Sequence, residues 1–105
     1  MALTIRWSKR ANKKFDKIIE YLLDEWNEQV TGAFVKKVYN FIDTLVDFPE
    51  IGIIENKEKS IRGFPIVKQI SIFYHIDKHQ IIILDFFDNR QSPKRKDFKA
   101  THKLH

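Results

Sequence analysis

The chain has 105 residues, which suits one domain with a core of its own and is too short for two. Hydrophobic residues make up 43% of the chain and charged residues 31%, a balance that is typical of globular proteins and argues against disorder. The absence of cysteine excludes disulfides and thiolate metal sites and suits a cytoplasmic protein, and no apolar run approaches the length of a membrane span.

The net charge of +5 is unevenly distributed along the chain. Residues 1–89 contain 13 Lys and Arg and 13 Asp and Glu, whereas residues 90–105 contain six basic residues and one acidic residue. We therefore predict a single domain over residues 1–90 and a basic tail over residues 91–105. Such a tail is either a solvated terminus or a contact for nucleic acid or an acidic partner.

The N-terminal part of the sequence predicts a strand followed by a helix. Alternation of apolar and polar residues indicates a short, half-buried strand with Leu3, Ile5 and Trp7 on one face. Ser8 is a typical N-cap residue, and apolar residues then recur three and four positions apart. We expect this helix to continue to about Glu28.

A second amphipathic pattern predicts a second helix, so that the two form an antiparallel hairpin. Thr31 and Gly32 are expected to separate the helices, and Pro49 is expected to end the second one. The spacing predicts that the apolar stripes of both helices are mostly buried, namely Phe15, Ile19, Leu22, Trp26, Phe34, Val38, Phe41 and Leu45.

The C-terminal part of the sequence predicts strands. Residues 49–60 are expected to form a loop, followed by a short strand, a long strand over residues 66–76, a turn over residues 77–80 and a last strand over residues 81–87. The predicted order is β-αα-βββ. This order is typical of an α+β domain in which a helical hairpin packs on one face of a small, largely antiparallel sheet.

The predicted last strand is apolar on both faces, with Asp85 as its only polar residue. One face can pack against the hairpin, whereas the other is either covered by the chain's own tail or kept apolar for another protein. In the second case the strand and the basic segment after it supply the expected partner-binding residues: Ile81, Ile83, Phe87, Arg90, Lys94, Arg95 and Lys96.

Most catalytic motifs are missing from the sequence. It has no cysteine nucleophile, no Gly-x-Ser-x-Gly turn and no glycine-rich phosphate loop, and its histidines lack metal-ligand partners at a recognised spacing. We therefore expect no cofactor and no metal. The remaining candidates are cations on consecutive strands that can converge on one face and bind phosphate, namely Lys57, Lys59, Arg62, Lys68 and Arg90.

Four stretches give the sequence a resemblance to the RelE/ParE superfamily of type II toxin–antitoxin toxins, and especially to ParE-like plasmid-stabilisation proteins. They are IRWSKRANKKFDKIIEYLLDEW, FIDTLVDFPEIG, SIRGFPIVKQISIFYHID and IIILDFFDNRQSP, and the resemblance covers about residues 3–95. It implies a cytoplasmic bacterial toxin with the β-αα-βββ order and a cognate antitoxin as partner.

The resemblance also implies two alternative activities. ParE-like members poison DNA gyrase, whereas RelE-like members cut mRNA on the ribosome with basic residues and a tyrosine or histidine near the C-terminus. Arg90 matches the basic residue that ends the last strand in the family, and Lys57, Lys59 and Arg62 correspond loosely to basic residues of the nuclease loop. The tail has no tyrosine, so His102 or His105 would have to replace it. We therefore favour a gyrase-binding toxin over an mRNA endonuclease, with an inactive binding module as a third alternative.

Overall fold

The computed structural model describes residues 3–88, which form two helices and a five-stranded sheet. The elements are, in chain order, β1 (Thr4–Trp7), α1 (Lys9–Glu25), α2 (Glu28–Asp47), β2 (Ile53–Asn56), β3 (Ile61–Val67), β4 (Ile70–Asp77) and β5 (Gln80–Asp88). The strands lie in the order β1-β5-β4-β3-β2, and each neighbouring pair is antiparallel except β1 and β5, which are parallel. The predicted α+β fold is confirmed, with one strand more than the sequence predicted.

Ser8 both caps α1 and attaches it to the sheet. Its Oγ accepts a hydrogen bond from the Ala11 amide at 3.0 Å and donates one to the Leu84 carbonyl at 2.9 Å. The Ser8 amide donates to the Ile83 carbonyl at 2.9 Å. The predicted N-cap is therefore confirmed, and it fixes the start of α1 against β5.

The two helices are separated at Trp26 and Asn27, not at Thr31 and Gly32 as predicted. Asn27 caps α2, since its Oδ1 accepts a hydrogen bond from the Val30 amide at 2.8 Å. Thr31 continues the helix, and its hydroxyl donates to the Asn27 carbonyl at 2.8 Å. A side chain that satisfies a free amide defines a helix start, whereas a glycine inside a helix weakens it without ending it.

The prediction of a loop over residues 49–60 and of one long strand over residues 66–76 was wrong. The loop contains β2, and the long strand is a hairpin of β3 and β4 that turns at Lys68 and Gln69. Pro65 lies inside β3. The pairing of β3 with β2 ends at Gly63, before Pro65, and the pairing with β4 shifts register just after Pro65. Proline is tolerated at such a position because it costs no bond of a regular ladder.

The core lies between the helical hairpin and one face of the sheet. Of the eight residues predicted to be buried, five are buried, Phe15 and Ile19 are half-buried, and Trp26 is 61% exposed. The prediction for Trp26 was wrong because this residue follows the last residue of α1, where the backbone (φ −126°, ψ −110°) has left the helical path. Helical spacing therefore no longer places its side chain over the sheet.

β5 lies between β1 and β4, and its two faces have different surroundings. Ile81, Ile83 and Phe86 are 0% exposed and belong to the core, whereas Ile82, Leu84 and Phe87 are partly exposed. A register shift against Phe73 and Tyr74 of β4 interrupts the alternation along the strand.

Neither α1 nor α2 combines the length and the apolarity of a membrane-spanning helix.

Candidate functional site

Two of the basic residues that the sequence indicates line one cavity beside the β2 edge of the sheet. This cavity, which we call the Arg62 cleft, has a volume of about 240 Å³ and is lined by Glu50, Ile54, Asn56, Lys57, Ser60, Ile61, Arg62 and Ile76. Lys59 lies in the same turn as Lys57 but does not line the cleft. Arg90, Lys94, Arg95 and Lys96 lie outside the described residues, so their approach to this site stays a prediction.

Arg62 connects β3 to the loop that follows α2. Its Nη1 donates hydrogen bonds to the Glu50 carbonyl at 3.1 Å and to the Gly52 carbonyl at 2.7 Å. The guanidinium therefore holds the loop that forms one wall of the cleft. A guanidinium has further N–H donors on Nε and Nη2, which suit the binding of a carboxylate or a phosphate.

Tyr74 holds the same loop from below the cleft. Its buried hydroxyl donates a hydrogen bond to the Pro49 carbonyl at 2.8 Å and accepts one from the Gly52 amide at 2.8 Å. Burial raises the pKa of Tyr74, opposed by the hydrogen bond from Gly52 and by the charge of Arg62. A Cβ atom at Gly52 would lie 2.7 Å from the Tyr74 hydroxyl oxygen, so this close approach requires glycine.

The turn between β2 and β3 carries the two candidate lysines. The Asn56 Oδ1 accepts a hydrogen bond from the Lys59 amide at 2.9 Å, and Ser60 adopts a positive φ of 55°. The His75 Nδ1 lies 2.7 Å from the Lys59 carbonyl. Because a carbonyl only accepts, Nδ1 is the donor in this contact. The turn backbone is therefore fixed, while both lysine side chains are exposed.

The charges of the cleft suit the binding of an anion. Lys57 and Arg62 stand against Glu50, and fixed cations of this kind bind carboxylates and phosphates. Glu50 can accept a proton, but the described lining of the cleft contains no tyrosine or histidine that could return one. The Tyr74 hydroxyl already donates its proton to Pro49. The cleft can thus bind an anion, and its described lining supplies the proton acceptor of an acid–base pair but no tyrosine or histidine as the proton donor.

The apolar residues expected to contact a partner do not all lie at the surface. Ile81 and Ile83 are fully buried between the sheet and the helices, whereas Phe87 is partly exposed. A partner that binds without rearranging the domain therefore meets Ile82, Leu84 and Phe87 on the opposite face of the sheet.

Sequence reasoning missed Glu50, Gly52 and Tyr74 as parts of the site. A usable signal for Tyr74 was its place in the alternating series Ile70, Ile72, Tyr74 and Ile76, because a tyrosine on a buried face needs a partner for its hydroxyl. No comparable signal exists for Glu50, whose contribution depends on how the loop folds back over β3.

Comparisons with known proteins agree with this fold. The P. aeruginosa chromosomal ParDE toxin–antitoxin system contains a chain with a TM-score of 0.68 and 12% identity, and the match covers 82% of this chain and 95% of that one. The YoeB/ParE toxin from Agrobacterium tumefaciens gives a TM-score of 0.60 with 10% identity over 82% and 98% of the two chains. The E. coli DinJ–YafQ toxin–antitoxin complex gives 0.59 with 8% identity over 87% and 97%.

At these identities the structural likeness establishes the fold alone, and comparison with curated protein sequences gave no match. The family assignment comes from the sequence itself. The profile of the family described as ParE toxin of type II toxin–antitoxin system, parDE, matches residues 5–93, which is most of the chain. This chain therefore belongs to the ParE toxin family of type II toxin–antitoxin systems.

Proposed function

We propose that this chain inhibits growth by binding a protein target, DNA gyrase, and that a cognate antitoxin neutralises it. The observation that carries the proposal is the state of the polar groups at the Arg62 cleft. Arg62 and Tyr74 hold the loop at Glu50 and Gly52, which supports a rigid binding surface rather than a proton-transfer site. Rigid, preorganised cations bind an acidic patch at a lower entropic cost than mobile ones.

Arg90 is the residue on which the proposal depends most among those outside the described part of the chain. Arg90 stands two positions after Asp88, where β5 ends, and is closer in sequence to the folded domain than any lysine of residues 91–105. Its planar guanidinium can bind a carboxylate with two N–H donors at once. We expect Arg90→Ala to abolish toxicity. Replacing His102 and His105 together with alanine is the matched control, and toxicity should persist.

The experiment that tests the proposal is induced expression in bacteria, scored for a DNA-damage response against translation arrest. Purified full-length protein should inhibit supercoiling by DNA gyrase and should leave ribosome-bound mRNA intact. Loss of toxicity in the double histidine variant, together with mRNA cut in the ribosomal A site, would refute the gyrase proposal.

A second candidate function is a metal-independent mRNA endonuclease, and one observation favours it. Glu50 lines the same cleft as Lys57 and Arg62, so a proton acceptor and two cations face one volume. If this is the activity, Glu50→Gln should abolish mRNA cleavage without changing ribosome binding. If gyrase is the target, the same variant should remain toxic.

The antitoxin is expected to cover the apolar face of the sheet near Ile82, Leu84 and Phe87 with an acidic, amphipathic segment. Two of the similar structures, the ParDE system and the DinJ–YafQ complex, are described as toxin–antitoxin assemblies, which supports a protein partner. Removing residues 91–105 should slow association with the antitoxin and weaken the dependence of the association rate on salt. The reason is that this segment contains five of the six basic residues from Arg90 onward, which steer an acidic partner. Unchanged association kinetics at low salt would contradict this role of the tail.

A further inference from the structure

The charge of the folded domain is balanced in total, but one segment of it is strongly basic. Residues 6–17 contain six basic residues and one acidic residue, a net charge of +5, whereas residues 18–89 contain seven basic and twelve acidic residues. The segment consists of the end of β1 and the N-terminal half of α1. The folded part of the chain therefore has a positive surface that shares no residue with the Arg62 cleft.

Three lysines of this segment lie on the face of α1 that points away from the sheet. Ala11, Ile18 and Leu22 are buried against the sheet, whereas Lys9, Lys13 and Lys17 are exposed at four-residue intervals. Four residues rise about 6 Å along a helix, so the three lysines form a stripe about 12 Å long. Exposed Arg10 lies beside its start, and we call these four residues the α1 basic face: Lys9, Arg10, Lys13 and Lys17.

Ion pairing within the domain does not account for this surface. Asp85 of β5 forms salt bridges with Arg10 at 3.3 Å and with Lys14 at 3.7 Å, which engages one cation of the face and one beside it. Within residues 3–88, no salt bridge engages Lys9, Lys13 or Lys17. Three exposed cations of this face therefore remain uncompensated at contact distance in the described part of the chain.

Helix stability does not account for the surface either. The N-terminal end of a helix carries a partial positive charge, so cations in the first turns are unfavourable there. Lys9, Lys13 and Lys17 also repel each other at four-residue spacing. The first turn of α1 contains no acidic residue and its last turn no basic residue, which is the reverse of the stabilising arrangement. Because this charge pattern lowers the stability of α1, it indicates that these cations serve a function other than stabilising the helix.

We propose that the α1 basic face binds the phosphodiester backbone of double-stranded DNA. A duplex carries one negative charge for about every 1.7 Å of its axis, so three lysines over about 12 Å meet several phosphates at once.

The composition of the face favours DNA over an acidic protein. A protein interface needs apolar anchors at its centre and is poor in lysine, but none of the exposed large hydrophobic residues falls within residues 6–17. The convex side of a helix fits the wide major groove of B-form DNA, whereas the major groove of A-form RNA is deep and narrow. This inference goes beyond the proposed function and does not need it, because the α1 basic face includes no residue of the Arg62 cleft.

The test compares two full-length variants that lose the same charge. Lys9, Lys13 and Lys17 are replaced by glutamine in one variant, and the exposed Lys36, Lys68 and Lys78 in the control. Binding to a 20-base-pair DNA duplex is measured by fluorescence anisotropy over a range of salt concentrations. A duplex RNA of the same sequence and a polyglutamate peptide are the comparison ligands.

The α1 variant should bind DNA roughly a hundredfold or more weaker at 0.1 M salt, with a log–log salt slope reduced by about three, while the control variant changes little. The α1 variant should keep its helical circular dichroism and melt no lower than the parent, which excludes unfolding as the cause. Equal losses in both variants would reduce the effect to net charge and overturn the proposal. An effect confined to RNA or to polyglutamate would overturn it in favour of that ligand class.

Discussion

Replacing Tyr74 by phenylalanine removes one oxygen atom and tests whether the loop beside the Arg62 cleft is held as we infer. The hydroxyl has two partners, the Pro49 carbonyl and the buried Gly52 amide, each at 2.8 Å. In Tyr74→Phe both backbone groups lose their partner, while the ring keeps its place in the core.

The size of the effect follows from these two hydrogen bonds. Each contributes about 0.5–1.5 kcal/mol, and a buried amide left unsatisfied costs about 1–3 kcal/mol. Arg62 still binds the carbonyls of Glu50 and Gly52, so the loop stays attached and full loss is not expected. We expect a loss of about 2–3 kcal/mol in the free energy of unfolding, which lowers the Tm of a domain of this size by about 10–20 °C.

The assay is thermal and urea unfolding followed by circular dichroism, with Tyr39→Phe as the matched control. Tyr39 is 49% exposed, and its contacts with Trp7 and Phe15 are made by the ring. Its variant should change stability by less than about 0.5 kcal/mol. Equal stability of the two variants would refute the proposed role of the Tyr74 hydroxyl, and so would unchanged hydrogen exchange at the Gly52 amide in Tyr74→Phe.

Three further measurements test other parts of the structure. Because the pKa of Tyr74 is raised above its unfolded value of 10.0, the folded state holds this proton more tightly, so stability should fall as pH rises above 10, and Tyr74→Phe should lose that part of the pH dependence. Gly52→Ala should cost about 1–3 kcal/mol in urea unfolding because its Cβ meets Tyr74, whereas Gly32→Ala, which meets nothing within 4 Å inside α2, should gain about 0.5–1 kcal/mol. Lys9→Glu should raise the free energy of unfolding by about 1 kcal/mol at low salt, because it places a negative charge at the N-terminus of α1 and one turn before Lys13. No gain in stability, or a gain that persists in about 1 M salt, would contradict this electrostatic origin.

Periodicity predicted the helical part of the fold because each helix has one strong apolar stripe. Ser8 was recognised as an N-cap because apolar residues at helical spacing begin soon after it. The break between the helices was misplaced because Thr31 and Gly32 resemble a breaker in sequence, whereas the capping bond of Asn27 depends on where its own side chain points. Local sequence thus predicts the stripes more surely than the turn between them.

The strands were less predictable because their boundaries depend on pairing. β2 is a short edge strand whose residues are recognised as a strand only once β3 lies beside them. Pro65 suggested the end of a strand, but the register shift in β3 accommodates it. One face of β5 is apolar because Ile81 and Ile83 lie in the core, whereas the apolar residues Ile82, Leu84 and Phe87 are partly exposed.

The candidate site was predictable as a set of cations and not as a geometry. Lys57 and Arg62 were identified by charge and by their order on the strands, and they line one cleft. The part that could not be predicted is the backbone loop that Arg62 and Tyr74 hold, because main-chain carbonyls at Glu50 and Gly52 have no signature in sequence.

The sheet order separates the two positive surfaces of the folded domain. The Arg62 cleft lies at the β2 edge, whereas α1 packs over β5, next to the β1 edge. A ligand confined to one of these surfaces therefore leaves the other accessible. A toxin that binds an enzyme through the cleft and DNA through α1 would gain from both contacts at once, since the second contact becomes intramolecular and is favoured by a high effective concentration. The unfavourable charges of α1 would then be retained because the stability they cost is smaller than the affinity they add for a target that is itself bound to DNA.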